Sequence, residues 1–221
     1  MKQTGVDQGD ADAPLEPLDL ADRGPVIPVV VIDHVEHAVP MARALLEGGV
    51  SVIEVTLRTP AALASIEAIA RAVPETIVGA GTLRHAADVR SAHAAGARFA
   101  VSPGYSSAVV SACRTMALPL LPGVATASEV MRAADDGFRF LKFFPASAAG
   151  GPALLRAWAS PFADIVFCPT GGIGIDNAPA WLALPNVEVV GGSWLTPADA
   201  LAARDWPRLT RLAREASALR P

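Results

Sequence analysis

The chain has 221 residues, 52% of them hydrophobic and 18% charged, which suits one domain with a well-buried core. No stretch approaches the roughly 18 unbroken apolar residues of a membrane span, and no apolar run of signal-peptide type follows Met1. Residues 1–24 carry two basic and six acidic side chains, and the rest balances at 16 of each, so the folded part has no basic excess to attract nucleic acid or an anionic membrane.

These features lead us to expect a soluble cytoplasmic protein. Residues 1–24 read as a flexible acidic tail, with a short docking helix near Leu15–Leu20. From residue 25 onward, short β-branched runs alternate with Ala-rich stretches of helical period. The expected strands are Val26–Ile32, Ser51–Thr56, Thr76–Gly79, Arg98–Val101, Leu118–Leu121, Phe138–Phe143, Asp164–Phe167 and Val187–Val190. Between the first two, Gly48 and Gly49 close a helix. Thr59 followed by Pro60 reads as the N-cap and first turn of the next helix, and Gly96 closes another.

The strands are apolar on both faces, as in a parallel sheet covered by helices. Eight βα units make a single-domain α/β protein, a (β/α)8 TIM barrel over residues 25–221, the expected fold. The competing doubly wound sheet usually shows GxGxxG after its first strand, and IPVVVIDH lacks it. Cys113 and Cys168 form no CxxC pair and read as free thiols of a reduced compartment. His34, His37, His85 and His93 have no metal-site spacing, so neither a metal nor a cofactor is expected.

A barrel places its chemistry at the C-terminal strand ends. Lys142 is one of only two lysines, against sixteen arginines, and it sits in FRFLKFFP, on the face of Phe138, Phe140 and Phe144. Burial disfavours an ammonium relative to the neutral, nucleophilic amine. The plainer readings are a lysine snorkelling from the strand end or a structural ion pair. Glu54, in SVIEVTLRTP, is a carboxylate on an apolar strand; it is either a general acid/base or the partner of Arg58 or Lys142 in a salt bridge.

Arg58 has the fork geometry for a carboxylate, and Thr82 offers a hydroxyl at the same rim, with Gly79 and Gly81 allowing close backbone approach to a ligand. The last two junctions, CPTGGIG and VGGSW, stand where such barrels bind phosphate. Gly171, Gly172, Gly191 and Gly192 would expose amides there, and Thr170 and Ser193 would add hydroxyls. Cys168 beside them reads as a small packing residue.

The motifs EHAVPMARALLEGG, IEVTLRTP, IVGAGT, FAVSPG, LKFFPA, FCPTGGI and GGSWLTPADAL run in order from about Val26 to Glu215. Together they closely resemble the bacterial 2-keto-3-deoxy-6-phosphogluconate (KDPG) aldolases, also called 4-hydroxy-2-oxoglutarate (KHG) aldolases, class I enzymes of the Entner–Doudoroff pathway. The resemblance implies a (β/α)8 barrel, a homotrimer and no metal. It marks Lys142 as the Schiff-base lysine and Glu54 as the general acid/base. It puts Arg58 and Thr82 on the substrate carboxylate, Pro103 and Phe144 on the pocket walls, and Thr170, Gly171, Gly172, Gly192 and Ser193 at the phosphate.

The 24 N-terminal residues are not shared, Ser147 stands where relatives often have Glu, and Gly174–Ile175 departs from the usual turn. The 6-phosphogalactonate aldolase group is a neighbouring reading, and its relatives tend to lack the Thr56–Leu57–Arg58 run. A non-catalytic barrel that binds sugar phosphates is a reading of another class.

Overall fold

The structure, a computed structural model, describes residues 15–219. Residues 1–14 of the expected tail lie outside the described residues. In chain order the elements begin with α1 (Asp19–Asp22), β1 (Val26–Val30), a 3-10 turn (Val35–His37), α2 (Ala38–Glu47) and β2 (Val52–Thr56). They continue with α3 (Ala62–Ala72), β3 (Ile77–Gly81), α4 (Ala86–Ala94), β4 (Ala100–Val101), α5 (Ser107–Thr115), β5 (Leu120–Leu121) and β6 (Gly123–Val124). Then follow α6 (Ala127–Asp135), β7 (Phe140–Phe143), α7 (Gly151–Trp158), β8 (Val166–Pro169), α8 (Ala178–Leu182), β9 (Val190–Gly192), α9 (Ala198–Ala203) and α10 (Trp206–Ser217).

This is an α/β fold of parallel strands. Six strands pair in the order β5-β4-β3-β2-β1-β9 and three in the order β6-β7-β8. One uninterrupted eight-stranded sheet was expected, and the strand pairing differs from it at two places. The fifth strand divides at Pro122, which has no N–H to give a ladder. Its first half pairs with β4 and its second with β7, where the Pro122 carbonyl accepts the Lys142 amide at 2.9 Å. On the other side, β8 meets the ninth strand only through the single bridges Phe167–Val187 and Thr170–Gly191, and the last strand starts at Val190 rather than Val187.

Alternation along the strands sorts side chains into two clusters, as the period of two requires. Val26, Val30, Leu141 and Phe143 pack outward against the helices. Ile27, Val52, Ile77, Phe99, Val101, Leu121, Phe140, Cys168 and Val189 face inward together. The short N-terminal helix falls at Asp19–Asp22, and its Leu20, 1% exposed, enters this inner cluster from the strand starts.

Local signals decide most helix ends. Gly49, at φ 91°, closes α2 in a Schellman motif: its amide and that of Val50 donate to Leu46 and Leu45. Gly96 closes α4 the same way. The expected cap at Thr59 is displaced. Its hydroxyl donates to the Ile32 carbonyl, tying the β2 end to the β1 end, so α3 starts at Ala62 with Ala61 at the N-cap.

Because Leu20 is fully buried, Leu20→Ala is expected to cost about 2–5 kcal/mol of stability, read as a lower urea midpoint with unchanged slope. A midpoint equal to that of the parent would show that α1 contributes nothing to the inner core.

Candidate active site

Lys142 lies in the middle of β7, whose four residues are all buried, and points inward with Phe140. Glu54 occupies the matching place on β2. The two meet across the interior: Lys142 Nζ donates to Glu54 Oε1 at 3.0 Å and Oε2 at 3.2 Å, with the side chains 5% and 4% exposed. Of the two partners expected for Glu54, the structure selects Lys142. The Phe144 ring stands 5.5 Å from Nζ and adds a cation–π contact.

Small residues make this geometry possible. A side-chain carbon on Gly81 would occupy the space of the Glu54 carboxylate, and one on Gly79 would overlap the Phe99 ring. These glycines were expected to admit a ligand; they admit neighbouring side chains instead. Gly123, opposite Lys142 in the register, leaves room for the backbone of Pro103, which brings that residue to the same layer. The sequence reading passed over Gly123, although an isolated glycine inside a strand signals such a close approach.

Arg58 is exposed at the strand end and does not touch Glu54. Its Nε donates to Thr82 Oγ1 at 3.1 Å, which leaves the terminal nitrogens without a partner among the described residues. Thr82 takes φ 64°, a conformation that costs an L-residue about 1–2 kcal/mol and that here turns its hydroxyl toward Arg58. The structure therefore joins Arg58 and Thr82 into one unit at the rim above Glu54.

Thr170 follows β8 and is 5% exposed, its hydroxyl donating to the Cys168 carbonyl at 3.4 Å and filling the space left by Gly191. Gly171 and Gly172 have φ of 104° and 74°. Gly192 seats the Trp194 ring, so its lack of a side chain serves packing. Ser193 is exposed and lines a cleft of about 710 Å³ with Val29, Asp33, His34 and Arg204. His37, buried beside that cleft, accepts from Arg204 Nε at 3.2 Å, and among the described residues no cluster of His, Cys, Asp or Glu could hold a metal.

Cys168 is the register partner of Lys142, and burial pushes its thiol up to about 12. Burial likewise takes Cys113 to about 11.

A buried lysine paired to a carboxylate, with an arginine and glycine-rich loops on the surrounding rim, is an arrangement suited to an enzyme of amine–carbonyl chemistry on anionic substrates. The KDPG and KHG aldolase family model matches residues 19–212. A 2-dehydro-3-deoxy-phosphogluconate aldolase of Pseudoalteromonas atlantica is 52% identical over 90% of this chain and 93% of its own. The KHG/KDPG aldolase of Escherichia coli K12 is 53% identical over 87% and 91%. Among solved structures, the KDPG aldolase of Legionella pneumophila, with pyruvate captured as a covalent carbinolamine, superposes with a TM-score of 0.90 at 43% identity, covering 92% of this chain and 99% of that one. The chain belongs to the KDPG and KHG aldolase family.

Two outcomes test the geometry. Gly81→Ala should push the Glu54 carboxylate aside and lower turnover by about 100-fold, the scale of a 1 Å misplacement, and should cost almost nothing more in a Glu54→Ala background. A comparable loss in both backgrounds would mean that the methyl acts elsewhere. Both thiols are raised by burial and stay protonated at pH 8, so iodoacetamide should leave the native protein unlabelled and modify two cysteines after unfolding in guanidinium.

Proposed function

We propose that this protein is a class I aldolase that cleaves 2-dehydro-3-deoxy-6-phosphogluconate to pyruvate and glyceraldehyde 3-phosphate, and also accepts 4-hydroxy-2-oxoglutarate, giving pyruvate and glyoxylate. The observation that carries the proposal is the buried Lys142–Glu54 pair, in a chain about half identical to enzymes that bear those names.

In this mechanism Lys142, relieved of a proton by Glu54, attacks the C2 carbonyl of the 2-oxo acid. Glu54 returns that proton to the C2 hydroxyl of the carbinolamine, which leaves as water and gives an iminium; the iminium serves as the electron sink, so the reaction needs neither metal nor cofactor. Glu54 takes the C4 hydroxyl proton, directly or through a water, as the C3–C4 bond breaks. The aldehyde leaves, the remaining enamine is reprotonated at C3, and hydrolysis frees pyruvate and restores the amine.

Arg58 and Thr82 would bind the substrate carboxylate. The free terminal nitrogens of Arg58 support this, because the Thr82 bond fixes the guanidinium plane. Pro103 and Phe144 would wall the pocket, and Thr170, Gly171, Gly172, Gly192 and Ser193 would bind the phosphate. The positive φ of Gly171 and Gly172 supports that assignment, since such turns gather amides around an anion.

A closed (β/α)8 arrangement of one domain over residues 25–221 is our reading of the two sheets. It is supported by the shared strand through Pro122 and by the bridges Phe167–Val187 and Thr170–Gly191. We also propose a cytoplasmic homotrimer that acts on small molecules, not on nucleic acid or membranes. No helix among the described residues is long and apolar enough to cross a membrane.

Treatment with pyruvate and borohydride should add one reduced pyruvate to Lys142, and Lys142→Ala should abolish both adduct and activity. Glu54→Gln should still form the adduct while cleaving at least about 100-fold more slowly. No adduct on the parent protein would overturn the aldolase reading, and normal turnover by Glu54→Gln would overturn the acid/base role. Thr170→Ala and Ser193→Ala should raise KM for the phosphorylated substrate more than for 4-hydroxy-2-oxoglutarate; equal effects would sink the phosphate assignment.

A further inference from the structure

The loop after β8 is held from behind. The Gly171 carbonyl accepts the Ser147 amide at 3.1 Å. The Gly172 carbonyl accepts two side-chain donors, Ser147 Oγ at 3.1 Å and Asn177 Nδ2 at 3.0 Å. Asn177 Oδ1 in turn accepts the Gly174 amide at 2.9 Å, so one side chain clamps both ends of the turn. One residue earlier, the Ala146 amide donates to the Thr170 carbonyl at 2.8 Å.

The carbonyls of Thr170, Gly171 and Gly172 are thus all engaged by the 144–150 loop or by Asn177. The Gly171 amide faces the Gly191 carbonyl in the Thr170–Gly191 bridge, whereas the amides of Gly172 and Ile173 make no hydrogen bond among the described residues. With the Gly171 and Gly172 carbonyls tied back, this turn at φ 104° and 74° leaves two successive amides, those of Gly172 and Ile173, available to an anion.

We infer that Ser147 and Asn177 are positioning residues for the phosphate end of the substrate: they fix the Gly172 carbonyl and thereby aim the Gly172 and Ile173 amides. Neither side chain touches the reacting atoms. They act on the distal anion alone, which makes them specificity determinants between phosphorylated and unphosphorylated 2-oxo acids. The inference rests on the phosphate reading of this loop and adds what orients it.

The test compares KM for 2-dehydro-3-deoxy-6-phosphogluconate and 4-hydroxy-2-oxoglutarate in Ser147→Ala, Asn177→Ala and the double variant. It adds inorganic phosphate as a competitive inhibitor. One hydrogen bond corresponds to about a threefold to tenfold change. Each single variant should raise KM for the phosphorylated substrate and Ki for phosphate by that factor, and the double variant by more. KM for the unphosphorylated substrate and both kcat values should stay within about twofold, and Ser147→Thr, which keeps the hydroxyl, should restore the parent values. Loss on both substrates alike would show a merely structural role and overturn the inference, as would a double variant identical to the parent. The phosphate reading itself fails separately: then Thr170→Ala and Ser193→Ala would also fail to distinguish the two substrates.

Discussion

A lysine and a glutamate removed from water together set the terms for everything around them. Either ion buried alone would cost several kcal/mol, so Lys142 and Glu54 are tolerable only if β2 and β7 stand opposite each other at the right height. That requirement passes to the neighbouring strands. Gly81 must lack a side chain for the carboxylate to lie flat, and Gly123 must lack one for Pro103 to close the wall beside the amine. Under the proposed mechanism the resting pair is also the chemical apparatus, since the carboxylate that pairs with the lysine would also take its proton. On that proposal, stability and reactivity are two uses of one hydrogen-bonded contact.

The rim is organised on a different principle. Where the floor relies on burial, the rim relies on backbone conformation: a threonine at φ 64° holds an arginine, and two glycines at positive φ shape the turn after β8. Such conformations persist only when their surroundings over-determine them. The Arg58–Thr82 bond and the Ser147–Gly172–Asn177 contacts provide that restraint at opposite edges of the mouth. In the proposed reading, a 2-oxo acid with a charged group at each end would meet a fixed donor set at each end, with the lysine between them.

Much of this was legible in the residues, for physical reasons that also mark its limits. Lys142 and Glu54 stood out because a charge on a strand apolar on both faces has few places to be, and their pairing was among the alternatives open at that stage. Parallel strands followed from the same apolar pattern. The break at Pro122 was visible as a letter but not as a seam, because losing one amide matters only once the neighbouring strand is known. Thr59 looked like a cap because local sequence cannot show that its hydroxyl has a better-placed acceptor in Ile32, 27 residues away. The glycines at 79 and 81 were read as openings to a ligand, whereas the volumes they free belong to Phe99 and Glu54. Sequence reports what a residue permits; the fold decides which neighbour uses the permission.

The Leu20 contact has a consequence for synthesis. This side chain leaves the ribosome early, yet its neighbours in the inner cluster include Phe140, Cys168 and Val189. The cluster it joins is therefore incomplete until nearly the whole chain has emerged. Through most of translation α1 carries an apolar residue with nowhere to bury it, a hazard that grows with the time a chain stays nascent. Six acidic side chains within the first 24 residues give that segment the like charge that opposes association, while the helix waits for strands that do not yet exist.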